Sequence, residues 1–172
     1  GELFDVHRGQ VTGNNRVWIQ GAYADPLPES VLFPAITRAR ELLCLREHRL
    51  LTDQELRRVI DIPEDWASLD ARDRERISRF LRWAKAQGAG DSYIARHRNP
   101  WYRVGLRPPA PIVVTYMARR SPRFVRNLCG ARLVNIAHGL YPTTPLSEAD
   151  LDLLTIWLNG NVSRSSGRTY AG

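Results

Sequence analysis

Arginine and aromatic side chains concentrate between Arg96 and His138 in a pattern suited to gripping a polyanion. The stretch reads RHRNPWYRVGLRPPAPIVVTYMARRSPRFVRNLCGARLVNIAH and holds nine arginines: Arg96, Arg98, Arg103, Arg107, Arg119, Arg120, Arg123, Arg126 and Arg132. No Asp or Glu occurs from Ser92 to Ser147. Trp101, Tyr102, Tyr116 and Phe124 are interleaved with the cations. A guanidinium can fork onto phosphates or guanine edges, and an aromatic ring can stack on an exposed base. Cationic surface with no anion beside it calls for an anionic partner, and nucleic acid is the simplest one. Arg96, Arg98, Arg119, Arg120, Arg123 and Arg126 are the candidate contacts to phosphate or base. Asn127 and Asn135 carry the donor and acceptor pair that can read base edges. Trp101 and Tyr102 admit two readings, stacking on a base or packing in the core.

A second polar group lies at Thr12, Gly13, Asn14 and Asn15. Gly and Asn tolerate positive φ, so TGNN reads as a turn. Strands over Leu3–Arg8 and Arg16–Ile19 would make it the tip of a hairpin, with Val17 and Ile19 on one face and Arg16 and Trp18 on the other. Such a tip is small and polar enough to approach another molecule's backbone. An ordinary hairpin turn is the plainer reading.

Catalytic patterns are missing. His7, His48, His97 and His138 are scattered, and the sequence contains no HExxH, Gly-x-Ser-x-Gly, GxGxxG or Walker loop. Asp and Glu concentrate at 41–75 and again at 148–152, where solvated helix faces account for them. A stand-alone nuclease would need clustered carboxylates for metal, which the acid-free zone does not supply. No catalytic, cofactor or metal residues are assigned to this chain.

Composition frames the same reading. The 172 residues suffice for one domain with a core, and 43% hydrophobic content is that of a globular chain. The net charge is +7 with a pI of about 10.1. All but one of the 25 basic residues are arginine, so local segregation of charge is more telling than arginine number. Cys44 and Cys129 lack a CxxC partner and read as free thiols of a reducing cytoplasm. No apolar run approaches the roughly 20 residues of a membrane span. The chain opens on GELFDVHRG without Met and reads as a piece of a longer protein.

The positioning elements follow in order. Pro26 and Pro28 break the chain, and one helical turn is expected over Pro28–Phe33. Pro34–Leu45 is ambiguous between helix and strand. Thr52-Asp53-Gln54-Glu55 reads as a capping box that starts a short helix. A short strand follows at Val59–Ile62. A longer helix is expected over Leu69–Gln87, with Ile77, Phe80, Leu81 and Ala84 on one face. Arg72, Arg76, Arg79 and Trp83 form a second stripe, either solvated and locally paired or a nucleic-acid contact. A helical turn fits Asp91–Arg98. Strands are expected at Tyr102–Leu106, Pro111–Ala118, Phe124–Asn127 and Ala131–Ile136. A last helix over Glu148–Leu158 is apolar nearly all round, requires burial on more than one side, and ends at Asn159-Gly160. Its Leu151, Leu154 and Trp157 are candidates for core or for an interface with a further domain. The pattern amounts to one α+β domain, a twisted and mainly antiparallel sheet with flanking helices.

The order of motifs resembles a known family. RGQVTGNN-x-VWI is similar to the R-G-x-x-T-G-x-N opening of the target-recognition region of bacterial adenine-specific DNA methyltransferases from restriction–modification systems. LFPAITRAREL resembles the L-x-P-x-x-x-x-R-[ED]-[LI] segment that follows there. PWYRVG, PIVVTYMARRSPRFVRN and LVNIAHGLYP resemble the later P-W-Y, P-x-[IV]-x-x-P-Y-x-x-R-x-x-x-F-x-x-N and N-x-x-x-x-[LI]-x-P run. DLDLLTIWLNGNVS resembles the L-L-x-x-L-N-S helix, and GRTYAG the start of a closing G-x-x-Y-x-G-G-L. The likeness spans nearly the whole chain, with 45–90 as a helical insert within residues 1–172. TGNN and LNGNVS depart from the commonest forms.

The resemblance implies a target-recognition domain that binds double-stranded DNA. Its N-terminal catalytic domain would carry the Asn-Pro-Pro-Tyr/Phe tetrad and the glycine-rich S-adenosylmethionine loop absent here. That domain would methylate the exocyclic amine of a flipped adenine. The alternative is a basic module that docks RNA or a protein, with no methylation role.

Overall fold

The computed structural model describes residues 3–115 and 121–166, with side chains through Val162. Two mostly antiparallel sheets and five helices form one α+β arrangement, as the sequence pattern predicts. The larger sheet contains β1 (Phe4–Arg8), β8 (Ala137–Pro142), β5 (Ile112–Thr115), β6 (Phe124–Asn127) and β3 (Arg49–Leu50), in that order. The smaller contains β4 (Arg57–Ile60), β2 (Leu32–Ile36) and β7 (Arg132–Leu133). Segment 45–90 contributes β3 and β4 to these sheets as well as helix α3 (Ala71–Ala86).

The TGNN hairpin does not form. β1 pairs instead with distant β8, Phe4 opposite Pro142 and Arg8 opposite His138. The expected second strand is a short helix, α1 (Asn15–Trp18), whose N-cap Asn14 accepts from Val17 N at 3.3 Å. Val17, Trp18 and Ile19 are all buried, so their faces do not alternate. Burying three adjacent apolar residues against a core suits a helical turn better than a two-sided strand.

Trp18 is fully buried and meets Phe80 of α3 edge-on, with centroids 5.7 Å apart. Trp101 lies 6.1 Å from Trp18 in the same cluster, so its packing role holds. Asp70 caps α3 by accepting from Asp73 N at 2.8 Å. Ile77, Phe80 and Ala84 are its buried stripe, and Gly88 at φ 72° turns the chain away. The arginine stripe is locally paired: Arg76 with Asp73 at 3.1 Å, and Arg79 with Glu75 at 3.7 Å.

Other expectations shift for tertiary reasons. No helix follows Thr52; its hydroxyl accepts from Gln54 N in a turn, and Arg57 then enters β4 against β2. Tyr102–Leu106 is not a strand, because the Asp61 carboxylate takes up Gly105 N and Leu106 N at 2.8 and 2.7 Å. Pro28–Phe33 divides into a 3-10 turn (Glu29–Val31) and the start of β2. Pro34–Leu45 resolves into the end of β2 followed by α2 (Arg40–Leu43).

The last helix, α5 (Glu148–Ser166), runs through Asn159 and Gly160 rather than ending there. Asn159 faces β6: its Oδ1 accepts from Phe124 N at 3.0 Å and its Nδ2 donates to Phe124 O at 2.8 Å. The Asn of the LNG motif thus docks the helix on the sheet. Leu151 is buried, but Leu153, Ile156 and Trp157 are exposed, so burial covers one side only.

Candidate nucleic-acid interface

Parallel pairing brings three chain segments out of the smaller sheet side by side. Ala35 and Ile36 pair with Arg132 and Leu133 in parallel register, and Gln10 forms a parallel bridge with Val134. Val134 N donates to Ile36 O, Gln10 N to Leu133 O and Asn135 N to Gln10 O, at 3.3, 3.0 and 3.1 Å. Parallel segments end at the same edge. Here that edge carries Val11–Asn15, Asn135 and the Thr37 turn.

Val11–Asn15 and Asn135 line an open surface cavity of about 240 Å³. Thr12 is 2% exposed, and its hydroxyl donates to Asn15 Oδ1. Gly13 sits at φ 83°, and an added Cβ would lie 2.9 Å from Ser92 Oγ. Only glycine suits that position. The Asn14 and Asn15 amide nitrogens, and the whole Asn135 carboxamide, make no hydrogen bond among the described residues. They line the cavity with open donors and acceptors.

The predicted arginines divide sharply. Arg96 is exposed on α4 (Tyr93–Arg96), which Ser92 caps by accepting from Ala95 N at 3.1 Å. Tyr93 of the same turn is 73% exposed, with its ring 4.1 Å from that of His97. Arg98 instead holds the 11–15 loop from beneath, donating to Thr12 O at 3.1 Å and to Val11 O. It positions the cavity wall rather than reaching outward. Arg119 and Arg120 lie outside the described residues.

Arg123 and Arg126 are engaged with partners inside the domain. The Arg123 guanidinium donates to Leu43 O at 2.6 Å, to Leu45 O, and to His48 Nδ1 at 3.1 Å. It clamps a turn in which Glu47 and His48 occupy φ 55° and 56°, a strained region for residues with side chains. Arg126 is 2% exposed and donates to Asp152 at 2.8 Å, Glu148 at 2.5 Å and Pro111 O at 2.6 Å. A guanidinium so enclosed has no face to offer a phosphate. Acids distant in sequence, at 148 and 152, neutralise it across the α5–β6 contact. Asn127 is likewise internal: its Nδ2 donates to Ala110 O and Ala131 O, and its Oδ1 accepts from Ala131 N.

The Arg123 clamp carries a pH signature. Burial first, then the Arg123 charge, lowers the His48 pKa. Burial and then Arg8 lower that of His138. Both imidazoles therefore favour the neutral form more than in the unfolded chain, which binds more protons as pH falls through about 6.5. These two groups add no pH dependence well above that point; below it their contribution to stability declines until pH has passed the lowered folded values. Urea midpoints at about pH 5 and about pH 7 will differ, and His48→Gln, whose carboxamide oxygen can still accept from Arg123, will flatten part of the difference.

Sequence reasoning missed a cationic group at the Thr37 turn. Arg57 Nε donates to Thr37 Oγ1 at 2.8 Å, with exposed Arg38 and Arg40 close by. Burial first, then the Arg38 charge, lowers the Arg57 pKa; Glu41 opposes this and Arg40 adds to it. Glu41 is engaged with backbone, accepting from Thr37 N at 2.7 Å and Arg38 N at 2.9 Å. The cue was present in TRAR, but Arg57 joins only through β2–β4 pairing.

Among the described residues, no three of His, Cys, Asp and Glu converge as a metal site. No helix among them is long and apolar enough to cross a membrane. The motif order, now seen as one loop, one sheet edge and one docked helix, agrees with comparison to known proteins. The family described as Type II methyltransferase M.Eco57I, C-terminal domain, matches residues 1–172. The chain belongs to this family. It is 55% identical over 172 residues to Type II methyltransferase M.XamI of Xanthomonas campestris pv. amaranthicola, covering all of this chain and 32% of that protein. It is 25% identical over 159 residues to Type II methyltransferase M.AccI of Acinetobacter calcoaceticus, covering 89% of this chain and 29% of that protein. The chain therefore spans about a third of the length of these two relatives.

Proposed function

We propose that this domain binds double-stranded DNA and reads its sequence for an adenine-specific methyltransferase whose catalytic part lies elsewhere in the same polypeptide. The observation that carries the reading is the cavity of Val11–Asn15 and Asn135, with open carboxamides and exposed cations around it. Asn presents a donor and an acceptor that match the adenine edge. Arg16, Arg38, Arg40 and Arg96 are exposed and would follow the phosphates, while Arg57 supports the Thr37 turn. Thr12 and Gly13 shape the loop that presents Asn14 and Asn15.

Methyl transfer needs S-adenosylmethionine, and this chain holds neither the glycine-rich loop nor the Asn-Pro-Pro-Tyr tetrad. Cofactor and chemistry are assigned to the remaining, N-terminal part. The setting is the bacterial cytoplasm, where such an enzyme meets its DNA.

The test uses the full-length protein and a duplex carrying its site. Asn135→Ala should weaken specific binding by about 1–3 kcal/mol while leaving non-specific binding unchanged. Equal loss on both duplexes would remove Asn135 from base reading. Arg38→Ala should lower the slope of log K against log salt by about 0.9, the value for one phosphate contact. An unchanged slope would take the Thr37 turn out of the interface, and salt-independent binding would overturn the proposal itself.

A further inference from the structure

A second surface fits a protein rather than DNA. Helix α5 buries Leu151 and packs the half-buried Leu154 and Leu158 against the larger sheet. On its other side Leu153, Ile156 and Trp157 stand at i, i+3 and i+4, exposed by 66%, 70% and 59%. That spacing makes one continuous apolar stripe. Next to Ile156, a cleft of about 110 Å³ separates α5 from Glu47, His48 and Arg49. Glu47 and Arg49 also line a larger groove of about 440 Å³, whose apolar wall is Leu45, Leu50, Leu51 and Leu56. Leu51 is 66% exposed, and β3 beside it is the outer strand of its sheet. Two apolar patches, Leu153–Ile156–Trp157 and the Leu51 groove, thus flank a polar cleft that Arg126, Asp152 and Thr155 also line.

Charge identifies the class of occupant. The larger groove sets Glu41, Glu47 and Glu55 against Arg46 and Arg49, so it carries no excess of cation. A phosphate backbone needs cations to neutralise it, and this groove offers none in surplus. Exposed aromatic and aliphatic anchors rimmed by mixed charge are the makings of a protein interface. The source of that protein is given by length: two curated relatives extend over about three times this chain, which matches their family as the C-terminal domain. A partner tethered on the same polypeptide meets the two patches at an effective concentration on the order of millimolar. A free second copy must associate from dilute solution.

We propose that the Leu153–Ile156–Trp157 stripe and the adjoining Leu51 groove seat the N-terminal part of the same polypeptide. The inference rests on the preceding reading only in taking that part to be the catalytic one, and its test involves no DNA. In the full-length protein, hydroxyl-radical footprinting read by mass spectrometry should show Trp157 oxidised about tenfold or more slowly than in the same chain in denaturant, as expected of a desolvated anchor. The protection should not change on dilution. Oxidation near the denatured rate would overturn the proposal, and protection lost on dilution would assign the patches to a second copy instead. Full-length Ile156→Glu/Trp157→Glu places charge on residues that the domain's own core does not use. It should increase the radius of gyration and speed proteolysis between the two parts. A variant as compact and as resistant as the parent would sink the idea, whereas failure of DNA recognition alone would leave the footprint unchanged.

Discussion

Replacing Gly9 with alanine is expected to cost about 3 kcal/mol or more, at the upper end of overpacking penalties. An added Cβ would lie 2.1 Å from Val134 O, 2.5 Å from the Val134 carbonyl carbon and 3.1 Å from Ala137 O. These are backbone atoms of the β7–β8 link and of the first residue of β8, and they cannot rotate aside as a side chain would. Gly9 N also donates to Ala137 O at 2.9 Å, and the next residue forms the Gln10–Val134 bridge. Relieving the collision must separate β1 from β8 or break those bonds, each worth about 1 kcal/mol. The Val11–Asn15 loop leaves the sheet at this point, so duplex affinity should fall together with the urea midpoint. An unchanged midpoint would show that β1 yields without penalty. The glycine of the RGxxTG motif is thereby explained by close backbone approach, and its second glycine by positive φ.

Arg126→Ala is the second large effect, with an expected loss of about 3 kcal/mol. The guanidinium satisfies Asp152, Glu148 and Pro111 O together. Its removal leaves a void under α5 and a carbonyl without that donor. The Glu148 side chain is 79% exposed and that of Asp152 37%, so both carboxylates can rehydrate. That places the cost at the lower end of the range for breaking a buried pair. Arg126→Lys keeps the charge but lacks the planar fork and should recover only part of the stability. Under conditions where the variant stays folded, the salt dependence of DNA binding should match the parent. A slope lower by about 0.9 would instead restore Arg126 to the phosphate contacts.

Several features of the fold were legible locally. Helix α3 follows from an apolar stripe at helical spacing. β6 and the middle of β5 follow from β-branched and aromatic runs. The α+β class follows from the pattern of elements, and the family from motif order, which does not depend on the secondary structure of any one segment. Other features were not legible because they depend on pairs distant in sequence. β1 finds its partner across the chain at Phe4–Pro142, so TGNN joins no hairpin. Arg57 reaches the Thr37 turn only because β4 lies along β2. Asn135 stands out in the acid-free stretch, yet its place in the cavity depends on the Gln10–Val134 bridge.

The arginine field shows most clearly where sequence and tertiary structure divide the work. By itself the sequence determined that the chain has surplus cation and an acid-free stretch from Ser92 to Ser147, since local composition is independent of folding. Which guanidiniums face outward was decided by packing. Arg126 points inward because α5 returns to β6 with Glu148 and Asp152, Arg123 because the strained Glu47–His48 turn presents carbonyls to it, and Arg98 because the Val11–Thr12 loop rests on it. A buried guanidinium persists only where acceptors converge on it. Convergence of that kind belongs to three dimensions, and no spacing along the chain encodes it.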